Sequence, residues 1–222
     1  MSSHTKDPVR EQLLDAALAH VPFDGWTDVT FRAAIADADV SSDMARIACP
    51  RGATDLAAAY HLRGDEAIDV AALPEGLRYS QKVAGLVRLR LEAVDREIVR
   101  KGMALFSLPH LAPEGSRLVW GTADAIWNAL GDTSRDYNWY TKRAMLAGVF
   151  GSTCMFWLGD QSEGGEATWA FLDRRVANVM SIEKTKAKVR ENKGLAPLLA
   201  VPSAILGRIK APAGVDRTDV PG

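Results

Sequence analysis

The stretch from Ala144 to Leu158 constrains the fold most, because its large apolar residues, Met145, Leu146, Val149, Phe150, Cys154, Met155, Phe156 and Trp157, fall on every side of a helix. A helix that is apolar all round has to be buried all round, so other elements must wrap about it. The rest of the chain supplies helices for the purpose. Tyr79 to Ala104 is amphipathic through Val83, Leu86, Val87, Val94, Ile98 and Val99. Gly115 to Leu130 carries Leu118, Val119, Ala123, Ile126, Trp127 and Leu130 on one face. Glu166 to Glu191 carries Trp169, Leu172, Val176 and Val179. No segment alternates apolar and polar residues over a useful strand length, which predicts an all-α class. Gly148, Gly151 and Ser152 stand between the large residues of the apolar stretch. Small residues there suit either a ligand space or the close packing of a central bundle helix.

The first 75 residues read differently. Val9 to His20 predicts a first helix, Thr27 caps a second through Phe31, Ala34, Ile35 and Ala38, and Ser41 or Ser42 caps a third that Pro50 stops. Two short helices joined by Asp39-Val40-Ser41 form a helix-turn-helix pattern. A helical segment from Thr54 to Arg63 follows, and Pro74 and Gly76 mark a seam. Such a front unit ahead of a larger helical bundle resembles the TetR class of repressors, and a ligand-responsive transcriptional regulator is therefore the alternative reading. The charge opposes it. Residues 1–75 hold six Lys/Arg against thirteen Asp/Glu, whereas the remaining residues hold twenty-one against fifteen. A nucleic-acid reader needs cations that displace counterions from phosphates, and a recognition helix opening Ser41-Ser42-Asp43 is repelled by them.

Catalytic signatures are missing. His4, His20, His61 and His110 form neither HExxH nor ExxH, no Gly-rich phosphate loop or GxSxG elbow occurs, and Cys49 and Cys154 stand far apart. The sequence therefore predicts no enzyme, no metal, no disulfide and a reducing cytoplasm. The first ten residues show no apolar signal region, and the run Met145 to Leu158 is too short to span a bilayer. The tail carries an apolar stripe, Leu195, Leu198, Leu199, Pro202, Ile205, Leu206 and Ile209, after a basic approach of Lys184, Lys186, Lys188, Arg190 and Lys193. That pattern suits a helix lying on a membrane surface, and equally a homodimer contact. The predicted organisation is an acidic helix-turn-helix-like unit over 1–75, a helical bundle over 76–192, an amphipathic helix over 193–211 and a disordered tail over 212–222.

One further segment, GDTSRDYNWYTKR from Gly131 to Arg143, crowds aromatics and cations behind good helix-start chemistry at Asp132, Thr133, Ser134 and Asp136. Trp139 and Tyr140 are adjacent and cannot both face a core, so one must face outward, and Trp139 with Arg143 one turn on suits a surface cation–π pair. Trp, Tyr and Arg dominate interface hot spots.

GDTSRDYNWYTKRAMLAGVF together with TWAFLDRRVANVM (Thr168 to Met180) resembles the lipid-binding accessory protein family of ubiquinone (coenzyme Q) biosynthesis, the family of the ninth-named coenzyme Q biosynthesis protein. The resemblance is strongest from Tyr79 to Arg190. It implies a TetR-like fold without nucleic-acid binding, no cofactor, and a pocket for an isoprenoid lipid or quinone precursor, with Trp120, Trp127, Leu146, Phe150, Cys154 and Trp157 as its candidate lining. It also implies partnership with the ubiquinone-pathway di-iron hydroxylase through a patch of Asn138, Trp139, Tyr140 and Arg143. Lys142 stands where the family often has Arg. Membrane-lipid contact through the tail stripe is implied as well. The expected location is peripheral, on the inner face of a bacterial cytoplasmic membrane.

Overall fold

A computed structural model describes residues 7–191, which form ten α-helices with no strand among them. The stripe Leu195, Leu198, Leu199, Pro202, Ile205, Leu206 and Ile209 lies outside the described residues. In the front unit α1 (Pro8–Ala17), α2 (Val21–Asp24), α3 (Asp28–Asp37), α4 (Ser42–Ala48) and α5 (Ala53–Asp65) follow one another closely. Their starts are set by side chains that accept from orphan helix amides. Asp7 accepts from Val9 N at 2.9 Å, Thr27 from Thr30 N and Ser41 from Met44 N. Between α3 and α4 the chain turns at Asp39 with φ +50°, a conformation Asp tolerates better than most residues. The short α2 has no counterpart among the sequence expectations, because four residues carry too little periodicity.

The bundle consists of α6 (Tyr79–Glu92), α7 (Arg96–Phe106), α8 (Ala112–Ala129), α9 (Tyr137–Gly159) and α10 (Glu166–Glu191). The single amphipathic segment expected over Tyr79 to Ala104 is therefore two helices. Asp95 starts the second one: its carboxylate accepts from Glu97 N at 2.8 Å and Ile98 N at 3.0 Å, while its own amide donates to the Tyr60 hydroxyl at 2.8 Å. That last bond fastens the break to α5 and turns α7 toward the front unit.

Two clusters of buried side chains result. Leu13, Leu14, Phe31, Leu56 and Tyr60 pack with Ile98 of α7, and Leu86, Leu91, Ile126, Leu146, Phe150 and Leu172 pack inside the bundle. Val94 and Val99 touch both. The Arg51–Glu114 ion pair ties the front unit to α8, while Arg51–Asp55 and the pairs of Arg63 with Glu11 and Asp15 of α1 brace the front unit itself.

Candidate functional site

Between α5, α7, α8 and α9 lies a cavity of about 630 Å³, in the range that small-molecule sites occupy. α9 supplies Ala144, Ala147, Phe150, Gly151 and Cys154, a stripe one helical face wide. α8 supplies Gly115, Leu118, Val119 and Trp120, and α7 supplies Ile98, Val99, Gly102, Met103 and Phe106. The front unit closes the other side with Trp26, Ala57, Tyr60 and His61. Ser107, Ser116 and Ala144 are the exposed members of the wall and mark its mouth. The Cys154 thiol donates to the Met103 sulfur at 3.8 Å, and burial pushes it up to about 11, so it behaves as part of the apolar lining.

Of the expected lipid contacts, Trp120, Phe150 and Cys154 lie on this wall, and Trp127, Leu146 and Trp157 do not. Leu146, one residue before Ala147 of the α9 stripe, is buried in the bundle core. Trp127 is held on the far side by its indole, which donates to Lys142 O at 3.0 Å, and Trp157 lies under Arg96 at 4.9 Å.

One wall is polar. Arg90, 3% exposed, donates from Nε to Asp65 and from Nη2 to His61 O at 2.7 Å. Its approach depends on Gly64, where an added Cβ would stand 2.3 Å from Arg90 Nη1. Thr122 Oγ1 donates to Asp65 Oδ1 at 2.9 Å and lies 2.9 Å from His61 Nε2. Burial pushes His61 down to about 4, so the imidazole is neutral near pH 7. The wall is a matched pair plus a neutral ring. Among the described residues no group of three or more His, Cys, Asp or Glu is placed to hold a metal ion.

The aromatic segment takes a different place from the one its composition suggests. Trp139 is 7% exposed and Arg143 fully buried, so the expected outward-facing pair is corrected to an internal one. The guanidinium lies 4.1 Å from the Trp139 ring centroid, donates to Asp124 from Nε and to Asp132 Oδ2 at 3.1 Å, and reaches Trp139 O at 3.2 Å. Lys142 Nζ completes the clasp at 2.6 Å from Asp132 Oδ1 and 2.7 Å from Ser134 Oγ. Burial alone would raise the Asp132 carboxyl, but hydrogen bonds from Lys142, Ser134 and Arg143 hold it below its ordinary value. A buried guanidinium requires such carboxylates, and they come from α8 and the loop after it. Asn138 and Tyr140 keep part of their surface in solvent.

Residues 112–183, spanning α8, α9 and most of α10, match the family model described as COQ9. The chain is 27% identical over 212 residues to the mitochondrial ubiquinone biosynthesis protein COQ9 of Bos taurus, covering 84% of this chain and 62% of that protein. To the Drosophila melanogaster protein of the same name it is 32% identical over 195 residues, covering 80% and 57%. The chain thus spans about three fifths of the length of these curated relatives. In structure it is similar to a TetR transcriptional regulator from Nitrosomonas europaea, with a TM-score of 0.62 at 23% identity, covering 77% of this chain and 97% of that one. The fold is TetR-like. The expected location on a bacterial cytoplasmic membrane is corrected by the relatives, since those from cow, human and fly are all named as mitochondrial proteins.

Proposed function

We propose, on the premise that the chain is a COQ9 homologue, that it is a non-catalytic lipid-binding protein of ubiquinone biosynthesis, which holds a polyprenylated quinone precursor and presents it to a di-iron ring hydroxylase. The observation that carries this reading is the apolar cavity of about 630 Å³ between α5, α7, α8 and α9. A polyprenyl chain is costly to expose, at about 0.8 kcal/mol for each CH₂ group, and a cavity walled by Phe106, Leu118, Trp120 and Phe150 removes that cost. The tail stripe from Leu195 to Ile209 would lie on the membrane from which the lipid comes. Asn138 and Tyr140, the half-exposed members of the aromatic segment, would meet the hydroxylase, while Trp139 and Arg143 hold the backbone beneath them. The acidic front unit would serve as a wall of the cavity and not as a nucleic-acid reader.

The test is native mass spectrometry with lipid extraction on the protein purified from its host. A co-purifying isoprenoid quinone or precursor is the expected result. A protein that emerges without lipid, and takes none up from vesicles containing a prenylated quinone, overturns the carrier reading. Turnover of that quinone by the isolated protein overturns the non-catalytic part.

A further inference from the structure

The cavity is apolar over most of its wall, yet it contains a buried hydrogen-bond donor with nothing to bond. Trp26, 6% exposed, lines the cavity from the loop between α2 and α3. Its Nε1 is buried and finds no partner among the described residues. Buried indole N–H groups ordinarily find an acceptor, because leaving one unpaired forfeits its bond to water without return. The residue across from the nitrogen carries no side chain. Gly102 of α7 also lines the cavity, and a Cβ built there would stand 3.7 Å from Trp26 Nε1. A glycine inside an α-helix is unfavourable relative to alanine. The bare position leaves no side chain at Gly102 to cover the indole N–H.

The rest of the lining limits what can bond there. Arg90 is its charged member, and its charge is met by Asp65, while His61 is neutral. An anionic head such as a carboxylate or diphosphate would enter without a countercharge, which a low-dielectric cavity penalises heavily. A neutral head bearing an oxygen acceptor meets no such penalty. We infer that the Trp26 indole N–H anchors the head of the bound amphiphile by donating a hydrogen bond to a neutral oxygen, a carbonyl or ether, and that the cavity discriminates against anionic isoprenoids. This rests on the carrier reading above and adds to it the chemistry of the head and the residue that recognises it.

The test uses the full chain labelled with ¹⁵N, whose six tryptophans give at most six indole N–H peaks. The Trp26 peak is assigned with Trp26→Phe or, should that variant not fold, by elimination through the other five Trp→Phe variants. Three chemical probes are titrated: farnesyl-1,4-benzoquinone, farnesene and farnesyl diphosphate. The expected result is that quinone and hydrocarbon both move the Trp120 peak, but the quinone alone moves the Trp26 peak downfield, and the diphosphate binds at least about tenfold more weakly than the quinone. Gly102→Ala supplies the independent check. It should raise the melting temperature through helix propensity while weakening quinone affinity roughly three- to tenfold, with farnesene affinity unchanged. A Trp26 peak that stays in place while the quinone moves Trp120, or that farnesene moves equally, overturns the anchor. If no probe moves Trp120, the cavity is not a lipid site and the carrier reading falls with it.

Discussion

Replacing Arg143 with Met decides whether the aromatic segment is a clasp or a display surface. The side chain is fully buried, and its partner Asp132 is 3% exposed, whereas Asp124 is 36% exposed. Breaking a buried ion pair costs about 3–5 kcal/mol, because one charge is left without its partner. Lys142 would remain on Asp132 Oδ1 at 2.6 Å, and Asp124 can turn to water, so the cost lies at the lower end, about 3 kcal/mol. For a chain of this size that lowers the melting temperature by roughly 6–12 °C. The assay is urea unfolding of both proteins, reading a lower midpoint at unchanged slope. The acid dependence has a fixed sign. Asp132 is held below its ordinary value, so it contributes stability above the unfolded carboxyl pKa that is lost as pH falls through the folded one. The gap between wild type and Arg143→Met should therefore narrow in acid. A loss under about 1 kcal/mol, constant with pH, would match an exposed pair and refute the clasp.

The lowered His61 value of about 4 makes a second prediction. Between about pH 6.5 and 4 the unfolded chain binds a proton that the folded one refuses, so stability should fall by about 3 kcal/mol across that window as pH drops. His61→Gln should lack this component, and urea midpoints measured at several pH values would show it. Gly64→Ala should cost about 1–3 kcal/mol in thermal unfolding, since a Cβ at 2.3 Å from Arg90 Nη1 must push aside a guanidinium bound to Asp65 and His61 O. Removing residues 193–222 should abolish flotation with liposomes and leave the melting temperature unchanged; retained flotation would remove the stripe from the membrane role.

Local chemistry was legible in the sequence wherever one residue decides the outcome. Thr27, Ser41 and Asp136 cap helices as their types and positions predict, because a cap needs only the next two or three amides. The break at Asp95 was hidden by periodicity: Leu86 and Val87 are followed in helical phase by Val94, Ile98 and Val99, and the stripe hides the interruption. Asp95-Arg96-Glu97 was the available signal, a capping residue ahead of an acidic first turn. The burial of Arg143 depends on Asp124, nineteen positions upstream, and no local pattern reports it. Asp124 and Asn128, one turn apart in α8 and joined by a hydrogen bond of 2.9 Å, were the trace it left. Of the four expected lining residues on α9, Phe150 and Cys154 are on the cavity wall and Leu146 and Trp157 are not, because a helix apolar all round does not disclose which face meets empty space; nor is it buried all round, since Met155 and Phe156 are exposed. The contributions of Trp26, Tyr60 and His61 lay across the seam at Pro74 and Gly76, which separates the front unit from the bundle in the sequence.

That crossing bears on how a helix-turn-helix unit can be kept in a chain proposed to carry lipid. A unit that reads a nucleic acid must leave its cations free for phosphates. Here two of the guanidiniums near α4 are bonded within the protein, while Arg32 of α3 and Arg46 of α4 are exposed. Arg10 donates to Ala48 O at 2.7 and 3.0 Å and ties α1 to the end of α4. Arg51 is bonded to Asp55 and, by two bonds of 2.6 and 2.8 Å, to Glu114 at the start of α8. Releasing them for phosphate contacts would unfasten α4 from α1 and from the bundle. The same front unit supplies Trp26, Tyr60 and His61 to the cavity, and the Tyr60 hydroxyl receives the amide that turns α7 over it. In this chain the helix-turn-helix unit is coupled inward, toward the cavity, and the −7 balance over residues 1–75 does not favour contact with a polyanion.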